Sequence, residues 1–388
     1  MQRSASVETN GRAGRRLDLD RRPLLVFWET TRACLLACRH CRASAVPEPL
    51  PGELTTDEAH DMIETLTGFG RPYPVLVMTG GDVLMRRDAF DLAAFASELG
   101  IPVAVAPSVT PRLTAKALQR LRQAGVKVAS LSLDGARPET HDRIRGVDEH
   151  WRRTLEALEL LRAHRFVAQV NTVVMRDNVE ELPEIASIVR ASAAAIWEVF
   201  FLVPVGRGGA EADLDPEECE DVCHFLFDAS RYGFIVRTVE APFFRRVAAW
   251  RREGRSCPTG SLYVRLSQRL RQLLGEPGLK PRAQTKETRD GKGIVFVSYD
   301  GDVYPAGFLP LPLGNVKRRS LVRIYRDSPL LKDIRAARFR GRCRDCDYAD
   351  LCGGSRSRAF AFSGDPLGDD PACAYDPAQP RMPSPPAP

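Results

Sequence analysis

The chain has 388 residues, a formal net charge of +6 and ten cysteines. That length holds one large α/β domain and a smaller one, and the mild charge, with arginines interleaved with acids, excludes a nucleic-acid footprint. Ten cysteines behind a polar N-terminal stretch point to a reducing compartment, the cytoplasm, and to metal ligation rather than disulfides.

Residues 1–20 are polar and Arg-rich and read as a disordered tail. From residue 21 to about 240, short apolar runs alternate with amphipathic segments. Strands are expected over 24–28, 75–78, 103–106, 126–133, 168–174 and 196–203, each dense in Val, Leu, Ile or Phe with little alternation, as in parallel strands covered on both faces. Helices are expected between them over 56–67, 88–99, 114–124, 151–164, 181–191 and 216–230, with a cap at Thr55, Thr56 or Asp57 and Pro216 in a first turn. Six βα units in series predict an α/β fold of partial (β/α)6 TIM-barrel type. A seventh run, 234–239, extends the sheet. The most apolar stretch, 193–205, is interrupted by Glu198 and Pro204, so it reads as a buried strand and not a membrane span.

Beyond residue 240, a basic amphipathic helix is expected over 243–252 and a loop over 275–292. A β-hairpin follows over 294–298 and 303–305, turning at Asp300-Gly301, and then a single helix over 321–336. The segment 241–376 reads as a second domain, and 377–388, rich in proline, as a second disordered tail.

The chemistry-bearing residues fall where the strands of such a barrel end, the face that carries its active sites. Cys34, Cys38 and Cys41, spaced C-x3-C-x2-C, follow the first strand. Three close thiolates suit an iron–sulfur cluster better than structural zinc, which closes four ligands around one ion. Gly80, Gly81 and Asp82 follow the second strand, Ser108 the third, Ser132 and Asp134 end the fourth, Asn171 lies on the fifth, and Gly206 to Gly209 follow the sixth. Near the C-terminus Cys343, Cys346 and Cys352, with Cys373 further on, supply four thiolates. Taken alone these suit either a closed iron–sulfur cluster or a structural zinc ion.

Together these motifs resemble the radical SAM superfamily with a C-terminal SPASM/twitch-type domain, over residues from about Pro23 to Tyr375. The resemblance implies that Cys34, Cys38 and Cys41 hold a [4Fe-4S] cluster whose open iron chelates S-adenosylmethionine. Reductive cleavage then gives a 5′-deoxyadenosyl radical that abstracts hydrogen from a substrate. It implies that MTGGD (Met78 to Asp82) lies beside the methionine amino group, where glycine lets backbone carbonyls approach. Ser132 and Arg145 match positions that bind the SAM carboxylate, a task suited to the planar guanidinium. Ser108 and Asn171 match contacts to the ribose or methionine part, and His40 stands near the adenine. Cys343, Cys346, Cys352 and Cys373 then hold one auxiliary cluster. Members with two auxiliary clusters carry further cysteines where this chain has Ala306 and Arg356, and none lies between Cys257 and Gly301. Cys219 and Cys223 read as packed core, and Cys257 has no assigned role.

FLPLPLGNV, VFFLVPVGRGG and the segment from Cys352 to Cys373 are similar to members that act on haem precursors, with Ser355 as a departure where several have Cys. A tetrapyrrole substrate is therefore expected, its propionates met by Arg207, Arg245 and Arg246. The alternative is radical modification of a ribosomally made peptide. A reading of another class is a non-catalytic electron carrier or zinc protein, which would not need the glycine motif, Arg145 and a barrel. Besides a small-molecule or peptide substrate, the implied partner is a reducing donor such as ferredoxin or flavodoxin, with neither nucleic acid nor membrane.

Overall fold

The computed structural model of the protein describes residues 18–255, 257–284 and 288–378. Strands β1 (Leu25–Glu29), β2 (Val75–Thr79), β3 (Val103–Val105), β4 (Val128–Ser132), β5 (Val167–Val174), β6 (Ile196–Phe201) and β7 (Ile235–Val239) pair in parallel in sequence order. After them come β8 (Ile294–Val297), β9 (Asp302–Tyr304) and β10 (Gly314–Asn315). The ten strands make one open sheet, ordered β10-β9-β8-β1-β2-β3-β4-β5-β6-β7. The six βα units of a partial TIM-type barrel are all present.

The connecting helices start where the sequence offers caps. Thr55 opens α1 (Thr56–Thr65) with a capping box: its hydroxyl accepts from Glu58 N, and the Glu58 carboxylate accepts from Thr55 N. Thr114 caps α3 (Ala115–Gln123), after α2 (Ala89–Glu98). Two helices, α4 (Pro138–Arg145) and α5 (His150–Ala163), join β4 to β5, and α6 (Leu182–Ala191) joins β5 to β6. Asp215 and Glu218 box the start of α7 (Pro216–Ala229), with Pro216 in the first turn as expected.

Burial departs from the expectation that both strand faces are covered. β2 and β5 alternate strictly between buried and half-buried positions. Leu76, Met78, Val170 and Val174 pack beneath the helices. Their neighbours line the lumen, which these strands leave partly open. Lumen-facing residues are half-buried because no second apolar layer closes over them, and the Val-rich sequence hides that difference.

The hairpin of β8 and β9 is antiparallel, but β8 also pairs in parallel with β1, Leu25 opposite Ile294 through Trp28 opposite Val297. The C-terminal segment thus donates a strand to the barrel sheet. Between β7 and β8 lie α8 (Phe244–Arg252) and α9 (Ser261–Leu274), which packs on α6 and α7. No helix was expected at α9, although Leu262, Leu266 and Leu270 repeat every fourth residue and are all buried. The single helix expected over 321–336 is two, α10 (Leu321–Asp327) and α11 (Pro329–Arg335). Proline disfavours the helical conformation in the residue before it, so the chain breaks at Ser328, whose hydroxyl then caps α11. Two short helices complete the chain, α12 (Gly341–Arg344) and α13 (Arg356–Ser363).

Residues 1–17 of the expected N-terminal tail and 379–388 of the C-terminal one lie outside the described residues. Residues 18–20 are fixed, not disordered. Tyr325 Oη donates to Leu19 O at 2.6 Å, and Asp20 pairs with Arg335 at 3.6 Å. No helix among the described residues is long and apolar enough to cross a membrane.

Candidate functional site

The loop after β1 carries Cys34, Cys38 and Cys41 at the C-terminal end of the sheet. It is tied at both ends by backbone bonds, Cys34 N to Val46 O at 2.8 Å and Val46 N to Arg32 O at 3.0 Å. Arg207, from the loop after β6, clamps it: Nε donates to Cys38 O at 2.9 Å and Nη1 to Ala45 O at 3.0 Å. Arg207 is thus engaged in holding the cysteine loop. Gly206, at φ +63°, comes so close that a Cβ would stand 2.4 Å from the carbonyl oxygens of Cys41 and Arg42.

The glycine motif has a packing reason of its own. A Cβ on Gly81 would lie 2.3 Å from Ala33 O, and one on Gly80 would lie 2.4 Å from Thr31 O. Those contacts press the β2 loop against the cysteine loop. Asp82 is fully buried and ties the loops together, accepting from Leu84 N, Ser108 N and Thr110 Oγ1. Burial pushes its carboxyl above the usual range against those bonds. Ser108 Oγ donates to Gly81 O at 2.9 Å and stands 3.6 Å from Cys34 Sγ.

Arg145 is the last residue of α4, buried rather than in a surface loop. Its Nη2 meets Asp134 Oδ2 at 2.5 Å and its Nη1 points at Cys38 Sγ at 3.6 Å. Burial works to raise the Asp134 carboxyl, but Arg145, then His40 and His141, outweigh it and hold the group below its ordinary range. His40 Nε2 lies 3.5 Å from the same carboxylate, and burial, aided by Arg145 and Arg207, lowers its pKa to about 4. Ser132, Asn171, Glu198 and Arg237 stand opposite one another across β4, β5, β6 and β7. They form one polar row on the lumen face. Gln169 Nε2 bridges Asn171 and Glu198 at 2.8 Å each. The fold thus brings His40, Ser108, Ser132, Arg145 and Asn171 to the same end of the barrel as the three cysteines.

Aromatic rings lie beside the polar row, beginning with Phe200, two residues after Glu198 on β6. Phe200 and Phe308 have ring centroids 6.3 Å apart, Phe296 and Tyr304 6.2 Å, and the Arg42 guanidinium lies over Phe296 at 4.6 Å.

The second cysteine group runs from Cys343 in α12 through Cys346 and Cys352 in the loop between α12 and α13 to Cys373 in the segment after α13. Cys352 N donates to Tyr348 O at 2.7 Å and Cys373 N to Asp370 O at 3.2 Å. Cys352 is buried and Cys373 half-buried, and desolvation pushes their thiols up to about 11 and about 12. Arg245 and Arg246, expected to meet propionates, are turned inward here. Arg245 reaches the Leu351 and Cys352 carbonyls at 3.2 and 3.5 Å, and Arg246 makes a two-pronged pair with Glu220 at 2.7 and 2.6 Å. Cys219 and Cys223 are fully buried in α7.

Both groups fit an iron–sulfur cluster on local chemistry. Such thiolates take N–H donors to sulfur. Leu36 N donates to Cys34 Sγ, Ala45 N to Cys41 Sγ, Tyr348 N to Cys346 Sγ and Gly354 N to Cys352 Sγ, each at 3.4 Å. Arginines reach two of the other three thiols, Arg145 at Cys38, 3.6 Å away, and Arg356 at Cys343, 3.7 Å away. Among the described residues no three metal-ligating side chains converge on a single ion. Arg356 as a sulfur donor was not foreseen, since nothing in the sequence says which way its guanidinium turns.

Comparison with known proteins agrees with this geometry. The model of the radical SAM superfamily matches residues 28–189, and that of the SPASM iron–sulfur cluster-binding domain matches 289–347. The chain is 34% identical over 366 residues to an AdoMet-dependent heme synthase of Methanosarcina barkeri, covering 92% of this chain and 98% of that one. It is 28% identical to the Fe-coproporphyrin III synthase of the same organism, covering 91% and 88%. In fold it resembles SuiB of Streptococcus suis, solved with its precursor peptide SuiA, with a TM-score of 0.68 at 14% identity over 92% of this chain and 76% of that one. The chain is an enzyme of the radical SAM superfamily, with an iron–sulfur SPASM domain at its C-terminus.

Proposed function

We propose that this enzyme binds S-adenosylmethionine at a [4Fe-4S] cluster on Cys34, Cys38 and Cys41 and acts on a haem precursor. The observation that carries the reading is the meeting of the three sulfurs, the Arg145–Asp134 pair and the polar row from Ser132 to Arg237 at one end of the lumen. When bound, the cluster and its ligand supply a 5′-deoxyadenosyl radical for hydrogen abstraction.

The chain's own residues bind, orient and exclude water. Arg145 is fixed by Asp134 with its fork beside Cys38, so it offers a pre-oriented cation for the SAM carboxylate, with Ser132 as a neighbouring donor. Ser108 and Asn171 flank the ribose and methionine parts, and His40, held neutral by burial, packs near the adenine. The lumen supports a tetrapyrrole. Phe200, Phe296, Tyr304 and Phe308 offer flat faces for a macrocycle, and Arg237 supplies a cation at the edge for its carboxylates, Arg42 being paired with Glu29 at 2.8 Å. The heme synthase and coproporphyrin synthase relatives lend the same substrate class.

The test is anaerobic turnover of reduced, reconstituted enzyme with SAM and a panel of iron-loaded and metal-free tetrapyrroles. Expected are 5′-deoxyadenosine and a product lighter by side-chain loss. Turnover of a peptide with no tetrapyrrole bound overturns the substrate, and absence of 5′-deoxyadenosine under all conditions overturns the chemistry.

A further inference from the structure

Three buried arginines, Arg246, Arg289 and Arg356, and the half-buried Arg245 surround the C-terminal cysteine group, and among the described residues the partners of Arg289 and Arg356 leave their charge unanswered. Arg289 is 4% exposed, and among the described residues its guanidinium donates to carbonyls, those of Ala349, Asp350, Cys352 and Ile334 at 3.0, 3.1, 3.3 and 3.2 Å. Arg356 is fully buried. It donates to the carbonyls of Gly354, Pro366 and Gly368 and aims Nη2 at Cys343 Sγ. Among the described residues no carboxylate forms an ion pair with either. Asp290 faces Arg356, but its carboxylate is taken by Ser357 N and Oγ at 2.9 and 2.8 Å. Asp370 serves Ser355 N and Arg358. Arg245 shares the Cys352 carbonyl with Arg289, and Arg246, with Glu220, flanks Cys352 and Cys373.

Isolated charge is costly to bury, so Arg289 and Arg356 call for an anion beside them. The backbone is shaped to admit them. Gly353 and Gly354 have φ of +71° and +61°, and a Cβ on either would stand 2.4 Å from the Arg289 or Arg356 guanidinium. A four-iron cluster held by four thiolates is such an anion, and it gains one further negative charge on reduction.

We propose that Arg245, Arg246, Arg289 and Arg356 form a cationic cage that raises the reduction potential of the cluster on Cys343, Cys346, Cys352 and Cys373, with Arg356 bonding directly to the Cys343 sulfur. The inference rests on reading that cysteine group as an iron–sulfur site. Reduction adds one electron and no proton, and fixed buried cations stabilise the more negative form more strongly. The arginines are positioning residues, acting through the cluster's charge. They poise it to take up an electron.

The test is an EPR-monitored redox titration of anaerobic holoenzyme, with SAM added to mark the signal of the cluster that binds it. Arg356→Gln keeps the side chain's bulk and a donor but loses the charge. It lowers the one-electron reduction constant tenfold or more, a fall of about 59 mV, at unchanged iron content. Glu220→Gln removes the counter-charge of Arg246 and shifts the midpoint the other way. Unchanged midpoints in both fully loaded variants overturn the cage. If Arg356→Gln fails to load iron, Glu220→Gln decides, and the absence of an upward shift overturns the proposal. Zinc in place of iron at these cysteines in anaerobically prepared wild type removes the underlying reading, and the cage with it.

Discussion

Arg145 joins the end of α4, the end of β4 and the cysteine loop in one side chain. Asp134 is wholly buried beneath it, so removing the guanidinium leaves an uncompensated carboxylate. Breaking a buried pair in this way costs about 3–5 kcal/mol of stability. A lost charge-assisted bond to the SAM carboxylate costs about 1.5–3 kcal/mol of binding. The two effects separate in a double variant. Arg145→Ala lowers both the melting temperature and SAM affinity, the latter tenfold or more by equilibrium binding. Arg145→Ala with Asp134→Asn recovers much of the stability and none of the affinity. Restored affinity in the double variant would show that Arg145 acts only by neutralising Asp134. The HDRIRG motif pointed to Arg145 as a binder of the SAM carboxylate, the role proposed for it above. Its helix, its burial and its partner were not legible, because they depend on a chain reversal between β4 and α4 that has no local signature.

The joint between α4 and α5 is carried by two histidines. His141 Nδ1 accepts from Asp134 N at 3.1 Å, its Nε2 stands 2.8 Å from His150 Nδ1, and His150 Nε2 stands 3.0 Å from Val109 O. With Asp134 N donating at one end and a carbonyl accepting at the other, both rings are neutral, each passing one N–H along the chain. Burial, reinforced by Arg145, lowers their pKa values to about 3 and about 4 from 6.5. Between about 4 and 6.5 the unfolded chain therefore binds protons that the folded one refuses. Stability rises with pH across that window, is fully present above it, and is lost on acidification. Urea unfolding at pH 7 and pH 5 should show this fall, and His150→Gln should shrink the difference between the two pH values. An unchanged difference would place the acid sensitivity elsewhere, with His40 and His224, also lowered by burial, as the alternatives. At this scale the sequence was readable where a run had one simple period. The seven barrel strands and six main helices fall within a few residues of their expected places. The pairing of β8 with β1 escaped, since strand register depends on a partner more than two hundred residues away. α9 escaped because five arginines and glutamines between its leucines resembled a polar linker.

For the molecule as a whole, the number of clusters depends on which cysteines face each other, and here the fold adds to what spacing could say. Cys219 and Cys223 lie in the core of α7, both fully buried, and burial pushes both thiols far above their ordinary range. They pack in the core with the rest of the buried face of α7. Ala306 is buried beside the hairpin, and Arg356, at a position that could have carried a third ligand set, is spent on carbonyls and the Cys343 sulfur. Cys257 is half-buried, its Sγ 3.5 Å from Arg255 O. That leaves two groups, one of three thiols, which on the proposed function leaves a position for SAM, and one of four. Reconstituted enzyme should hold about 8 iron atoms per chain if both are four-iron clusters. Replacing Cys34, Cys38 and Cys41 together by Ala should leave about half of that, with SAM cleavage abolished and an EPR signal that SAM no longer perturbs. Iron analysis with sulfide analysis checks both values. A count near 12 would mean that Cys257 moves to complete a further site, and Cys257→Ala would then return the count to about 8. Retention of SAM-dependent 5′-deoxyadenosine formation in the triple variant would instead show that the open cluster lies at the C-terminal group, reversing the assignment of the two.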